Sequence, residues 1–231
     1  MPTKSQVPVL TVDGPSGAGK GTVSRLLAAR SGWHLLDSGA LYRLVALAGS
    51  EAGLAAQDEA GHTTLAEGLL VGFGSNAAGE EHIVLAGRDV TGRVRSAQAG
   101  LGASRVAAWP GVRTALLARQ RACAQPPGLV ADGRDMGTVV FPQAPLKIFL
   151  VASPAERARR RYNQLKDKES GVSLAALSRE IEARDRQDEN RSIAPLKPAA
   201  DAHTLDSTGL SIAQVVERIW QLGAQRGLWH A

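Results

Sequence analysis

Short β-branched runs alternate along this chain with segments whose apolar residues recur every three or four positions. Residues 7–12 form the first run, a glycine-rich stretch follows, and Val23, Leu26 and Leu27 then return at helical spacing. This predicts strand, loop and helix in that order. The succession repeats at 33–36, which precedes Leu41, Leu44, Val45 and Leu47, and again at 129–131 and 146–151. A last run at 202–205 precedes a helix marked by Ile212, Val215, Val216, Ile219 and Trp220. Strands that are apolar on both faces and alternate with helices predict an α/β fold, with a five-stranded parallel sheet between helices. One stretch breaks the rhythm: within 69–94 two short apolar runs flank a polar turn at 75–80, which predicts a small antiparallel hairpin. The expected organisation is a single domain. Its core takes 1–61, 103–152 and 192–231, a β insert takes 62–102, and a lid segment takes 153–191. The insert is either a lid or specificity element beside a ligand site or inert decoration.

Composition narrows the function classes. At 231 residues, 44% hydrophobic and 21% charged, the chain is too apolar and too evenly charged for a disordered or fibrous protein. No apolar run approaches the length of a membrane helix and the first residues lack a signal-peptide core, so a soluble cytoplasmic protein is expected. Cys123 is the only cysteine, which rules out an intrachain disulfide. The formal charge of +5 includes 21 Arg and 6 Lys. Arginine forks suit phosphates, but GC-rich codons produce the same excess.

The strongest chemical signal is the stretch Gly14, Pro15, Ser16, Gly17, Ala18, Gly19, Lys20, Gly21 and Thr22, which carries G-x-x-x-x-G-K between a predicted strand and a predicted helix. Glycines let backbone N–H groups approach phosphates, the helix N-terminus adds its positive end, and Lys20 adds a full charge. Gly21 stands where a magnesium-ligating hydroxyl is usual. Thr22, directly or through water, is the remaining candidate for that ion.

Three further groups lie at predicted strand ends or helix faces. Asp37-Ser38-Gly39 ends the second strand, with Ser38 expected to cap the next helix and Arg43 one turn inside it. Asp132-Gly133-Arg134-Asp135 ends another strand, where open sheets bind ligands. Ser153-Pro154-Ala155-Glu156 reads as a helix start and launches Arg157, Arg160 and Arg161 on one face. Three like charges there require either solvent or an anion. Arg184, Asp188 and Arg191 share a face of the following helix, beyond a loop at 166–171.

The stretches D-G-P-S-G-A-G-K-G-T at 13–22, L-L-D-S-G-A-L-Y-R at 35–43, A-D-G-R-D-M-G-T-V-V-F-P at 131–142 and R-D-x-x-D-x-N-R at 184–191 together resemble bacterial cytidylate kinases, which belong to the nucleoside monophosphate kinases. The resemblance runs nearly the whole chain and includes the insert. It implies a P-loop kinase that transfers the γ-phosphoryl group of ATP to CMP or dCMP, with Mg2+ accompanying ATP. It also implies that residues 14–22 bind ATP and that Lys20, Arg157, Arg160 and Arg161 serve catalysis. CMP contacts fall by resemblance to Ser38, Arg43, Ser104, Arg113, Arg134, Asp135, Arg184, Asp188 and Arg191. Asp188, supported by Ser104 and Arg113, is the candidate acceptor for the cytosine amine. A monomer without nucleic-acid or membrane partners is expected. Kinases acting on UMP, AMP or shikimate, a nucleic-acid-stimulated ATPase and a non-catalytic nucleotide switch remain the competing readings.

Overall fold

The computed structural model describes residues 7–75, 81–166 and 173–229. The tip of the predicted hairpin (76–80) and most of the predicted loop between the two arginine-bearing helices (167–171) lie outside the described residues. In chain order the strands are β1 (Val9–Asp13), β2 (His34–Asp37), β3 (Val71–Ser75), β4 (Glu81–Leu85), β5 (Arg88–Asp89), β6 (Leu129–Gly133), β7 (Leu146–Val151) and β8 (His203–Asp206). The helices are α1 (Lys20–Ser31), α2 (Ser38–Glu51), α3 (Glu59–Glu67), α4 (Thr91–Val94), α5 (Ala97–Val106), α6 (Pro110–Ala122), α7 (Pro154–Leu165), α8 (Leu174–Glu189) and α9 (Ile212–Gln225). No helix among the described residues is long and apolar enough to cross a membrane.

Two compact units emerge, one made of Met1–Asp37 with Gln120–Ala231, the other of Ser38–Arg119. In the first, five parallel strands follow the order β2-β6-β1-β7-β8. The five predicted strands all form, each within a residue or two of its predicted limits. Leu10, Val12, Val130, Ile148 and Leu150 pack against Val23 and Leu27 of α1 and Val215 and Ile219 of α9, all fully or nearly fully buried. Strands covered by helices have no wet face, which explains their uninterrupted apolar runs. A capping box at Ser211, whose Oγ accepts Gln214 N–H while the Gln214 side chain accepts Ser211 N–H, starts α9.

The neighbours β1 and β6 send the chain onward in opposite directions, β1 to β2 on one flank and β6 to β7 on the other. Their C-terminal ends therefore form the topological switch point where open α/β sheets hold ligands. Val12 pairs with Asp132 and Asp13 with Gly133. The phosphate loop leaves one strand and the Gly133-Arg134-Asp135 stretch leaves the other at the same level.

In the second unit β3, β4 and β5 form an antiparallel sheet, with Val71 opposite Leu85 and Phe73 opposite Ile83. This is the predicted antiparallel insert. The two-residue β5 escapes sequence reading because Arg88-Asp89 carries no apolar alternation; Ala86 and Gly87, at φ 47° and 81°, supply the tight turn into it. Helices α2 and α5 pack so closely that a Cβ on Gly102 would lie 2.8 Å from the Ala46 Cβ. One local expectation is corrected: α2 begins at Ser38 itself, so Ser38 is its first residue rather than its cap.

Candidate active site

The phosphate loop is built by close backbone approach. Gly14 has φ 144°, and a Cβ there would stand 2.0 Å from the Leu150 carbonyl oxygen, so a side chain at this turn would collide with the β7 backbone. Gly19 caps α1 in the left-handed region at φ 97°, with no side-chain bond to the first turn. The leading amides of α1 are thus left uncapped by a side chain, and its first turn carries no acidic residue of its own. Lys20 folds back over the loop and donates from Nζ to the Pro15 carbonyl at 2.9 Å. It is 6% exposed. Burial first, and then the positive charge of Arg134 and more weakly of Arg184, push its ammonium below the usual lysine range, against Asp132 and Asp13, which raise it. Lys20, next to the end of β1, thus feels the charge of two guanidinium groups from other stretches of the sequence, Arg134 after β6 and Arg184 on α8. An arriving polyphosphate would relieve that mutual repulsion.

Arginines line up behind the loop. Ser153 Oγ accepts Glu156 N–H and starts α7 as the sequence predicts. Arg157 is nearly fully buried; its Nε donates to Ala152 O at 3.0 Å, and one terminal nitrogen donates both to Ser16 O in the phosphate loop at 3.1 Å and to Asp185. The other completes a two-pronged pair with Asp185 at 2.5 Å. Arg160 donates to Ala18 O at 3.1 Å, to Ser207, and to Glu156 one turn earlier. Two of the three predicted lid arginines thus grip backbone carbonyls of the phosphate loop. Arg161 makes no side-chain hydrogen bond or ion pair among the described residues.

On α8, Asp188 is 1% exposed. Its Oδ2 accepts from Arg134 Nε at 2.9 Å and its Oδ1 accepts from Arg191. Burial opposes ionisation, but Arg134 and then Arg191 outweigh it and hold the carboxyl below the usual range. Asp188 therefore gathers two of the arginines predicted to contact CMP. Asp135 is buried directly after Arg134.

Within the second unit, Ser38 is buried at the start of α2, and Arg43 lies one turn further, donating to the Val94 and Ser96 carbonyls at 2.9 and 3.2 Å. Ser104 is buried on α5. Arg113 on α6 donates to Ala107 O at 3.3 Å and stands 5.9 Å from the ring centre of Tyr42 on α2. These four predicted residues share one helical cluster.

Three carboxylates escape the list of predicted site residues. Asp185 clamps Arg157; it sits inside the R-D-x-x-D-x-N-R stretch, but nothing in its spacing discloses a partner on another helix. Asp132, buried at the end of β6, approaches Gly21, where a Cβ would lie 3.4 Å from its Oδ2. Asp13, buried at the end of β1, accepts the Met136 and Gly137 amides.

The chain matches known proteins along nearly its whole length. The family profile for cytidylate kinase matches residues 10–225. A cytidylate kinase of Pseudomonas savastanoi pv. phaseolicola (strain 1448A / Race 6) is 60% identical over 226 residues, covering 97% of this chain and 99% of the relative. One from Pseudomonas fluorescens (strain SBW25) is 61% identical over 215 residues, covering 93% and 94%. Among solved structures, TT1252 from Thermus thermophilus aligns at a TM-score of 0.47 and 21% identity, over 94% of this chain and 96% of that one.

Proposed function

The chain belongs to the cytidylate kinase family and transfers the γ-phosphoryl group of ATP to CMP or dCMP, giving ADP with CDP or dCDP; from this premise we propose how its residues divide the work. Residues 14–22 bind the ATP phosphates through backbone N–H groups and the N-terminus of α1. Lys20 neutralises charge on the outer phosphates, and Arg161, which makes no side-chain bond among the described residues, acts on the transferred group. Arg157 and Arg160 hold the loop carbonyls of Ser16 and Ala18, so that the amides of the same loop keep their direction. Arg134, Asp135, Arg184, Asp188 and Arg191 act on CMP. In the second unit Ser38, Arg43, Ser104 and Arg113 take the remaining contacts to that substrate.

The reaction needs no general base. The acceptor oxygen of CMP is already ionised near neutral pH, so catalysis reduces to aligning two anions and neutralising the charge that develops between them. Residues with fixed positive ends suit this task, because they require no reorganisation as the charge moves.

Magnesium is read as accompanying ATP. The Thr22 residue, exposed in the first turn of α1, and the Asp132 carboxylate beside Gly21 carry oxygen donors of the kind that ion accepts. Bound there, the ion would neutralise phosphate charge.

The observation that carries this reading is the phosphate loop at the end of β1, made by close backbone approach, with Lys20 folded over it and Arg157 and Arg160 bonded to its carbonyls. Coupled ADP release, measured against the full set of nucleoside monophosphates, tests it. CMP and dCMP should turn over readily, with UMP and AMP far behind. Comparable rates on all four would overturn the substrate assignment.

A further inference from the structure

Asp13 is the last residue of β1, and the next residue opens the phosphate loop. Its Oδ1 accepts Met136 N–H and its Oδ2 accepts Gly137 N–H, both at 2.8 Å, and the residue is 5% exposed. Those two amides open a π-helical segment, Met136–Val140, that follows Arg134 and Asp135 directly. Its own bonds run from Val139 and Val140 N–H to Asp135 O at 2.9 and 3.2 Å, and from Phe141 N–H to Met136 O at 2.6 Å. The leading amides of such a segment have no partner within it, and π turns are wider and less stable than α turns. A buried carboxylate that accepts both amides supplies two charge-assisted bonds in fixed directions.

We propose that Asp13 is a positioning residue for the monophosphate side of the reaction: through the Met136 and Gly137 amides it fixes where Arg134 and Asp135 stand relative to the phosphate loop that begins beside it. The inference rests on assigning Arg134 and Asp135 to CMP. One side chain thereby ties together the segments serving the two substrates. The carboxylate holds both amides most firmly while ionised, since protonation leaves one oxygen a weaker acceptor with an O–H of its own. The groups that act on it are Lys20 of α1, Asp135 after β6 and the two amides. Burial pushes Asp13 up to about 7, with Asp135 adding to the rise and the amides and Lys20 opposing it.

Asp13→Asn is the direct test. It conserves shape but turns an NH2 group toward one of the two amides. The expected result in a folded variant is a KM for CMP raised about tenfold or more, with the KM for ATP changed by less than about twofold. Arg134→Ala is measured in parallel, and the double variant should lose little beyond Arg134→Ala alone, because both changes act on the same contact. If Arg134→Ala leaves CMP binding unchanged, the assignment of Arg134 is at fault. If it weakens CMP while folded Asp13→Asn raises both KM values together or neither, the positioning role is overturned. Should Asp13→Asn fail to fold, the unaltered protein decides by nuclear magnetic resonance. The Met136 and Gly137 amides and the Arg134 Nε–H should then titrate together near neutral pH, and an Arg134 signal that ignores the titration overturns the proposal.

Discussion

Lys20 and Asp188 carry the sharpest expectations at the scale of single residues. Among the described residues the Lys20 side chain is tied to the fold by one hydrogen bond, to the Pro15 carbonyl. Lys20→Met should therefore fold and yet lose ~10² to 10³ in turnover, the usual cost of removing a preorganised charge from the transition state. Steady-state kinetics on the folded variant, checked by circular dichroism, decide this. For Asp188 the sequence suggests a reader of the cytosine amine, whereas both its oxygens already accept from guanidinium groups. Asp188→Asn sets an NH2 against one of them. It should weaken CMP and UMP together and cost about 3 kcal/mol of stability, the low end for breaking a buried ion pair. A selective loss of CMP in side-by-side kcat/KM measurements would instead show that Asp188 reads the base. The pH sign follows from the depressed native pKa: the stabilisation by Asp188 is present above its unfolded value of about 3.9 and fades as pH falls through the lower folded value. The stability gap between parent and Asp188→Asn should accordingly close below about pH 4.

At the scale of elements, α7 shows how one helical face divides its labour. Arg157, Arg160 and Arg161 sit at i, i+3 and i+4, and from periodicity alone they are equivalent. Their partners are not. Arg157 is nearly fully buried, bonded to Asp185 and to two carbonyls, while Arg161 is only partly buried and lacks such bonds among the described residues. Arg157→Ala should lower the melting temperature and activity together, because it leaves the Asp185 carboxylate without its guanidinium and frees the Ser16 carbonyl. Arg161→Ala should leave the melting temperature near that of the exposed-site control Arg179→Ala, and still reduce kcat. Thermal melts paired with initial rates separate the two. If Arg161→Ala matches Arg179→Ala in rate as well, the charged face of α7 serves solvation rather than catalysis.

Over the whole molecule, the chain's later residues matter to stability without entering the chemistry. Trp229 stacks on Trp220 with ring centres 4.6 Å apart, meets Trp33 edge-on at 5.2 Å and donates its Nε1–H to the Trp220 carbonyl at 2.8 Å. Gly223 allows this approach, since a Cβ there would come within 2.0 Å of the Trp229 ring. Trp229→Ala should cost about 2 kcal/mol and lower the melting temperature by about 4–8 °C, with both KM values unchanged. A shift in either KM would show that this aromatic cluster reaches the site. Much of the protein was legible from its residues in order. Strand runs, helical periods and the phosphate loop are local properties: a β-branched stretch, a 3.6-residue recurrence or a glycine at a forced turn acts through near neighbours and leaves its mark in consecutive positions. The hairpin insert was legible for the same reason, and β5 was not, because two charged residues carry no period. Which charges meet is a different matter. Arg157 finds Asp185 28 positions away, Arg134 finds Asp188 54 away, and Asp13 reaches the Gly137 amide 124 away. Residue order marks these side chains as chemically capable; only the packing of β1 against β6 and of α7 against α8 decides their partners, because ion pairs and hydrogen bonds depend on distance through space.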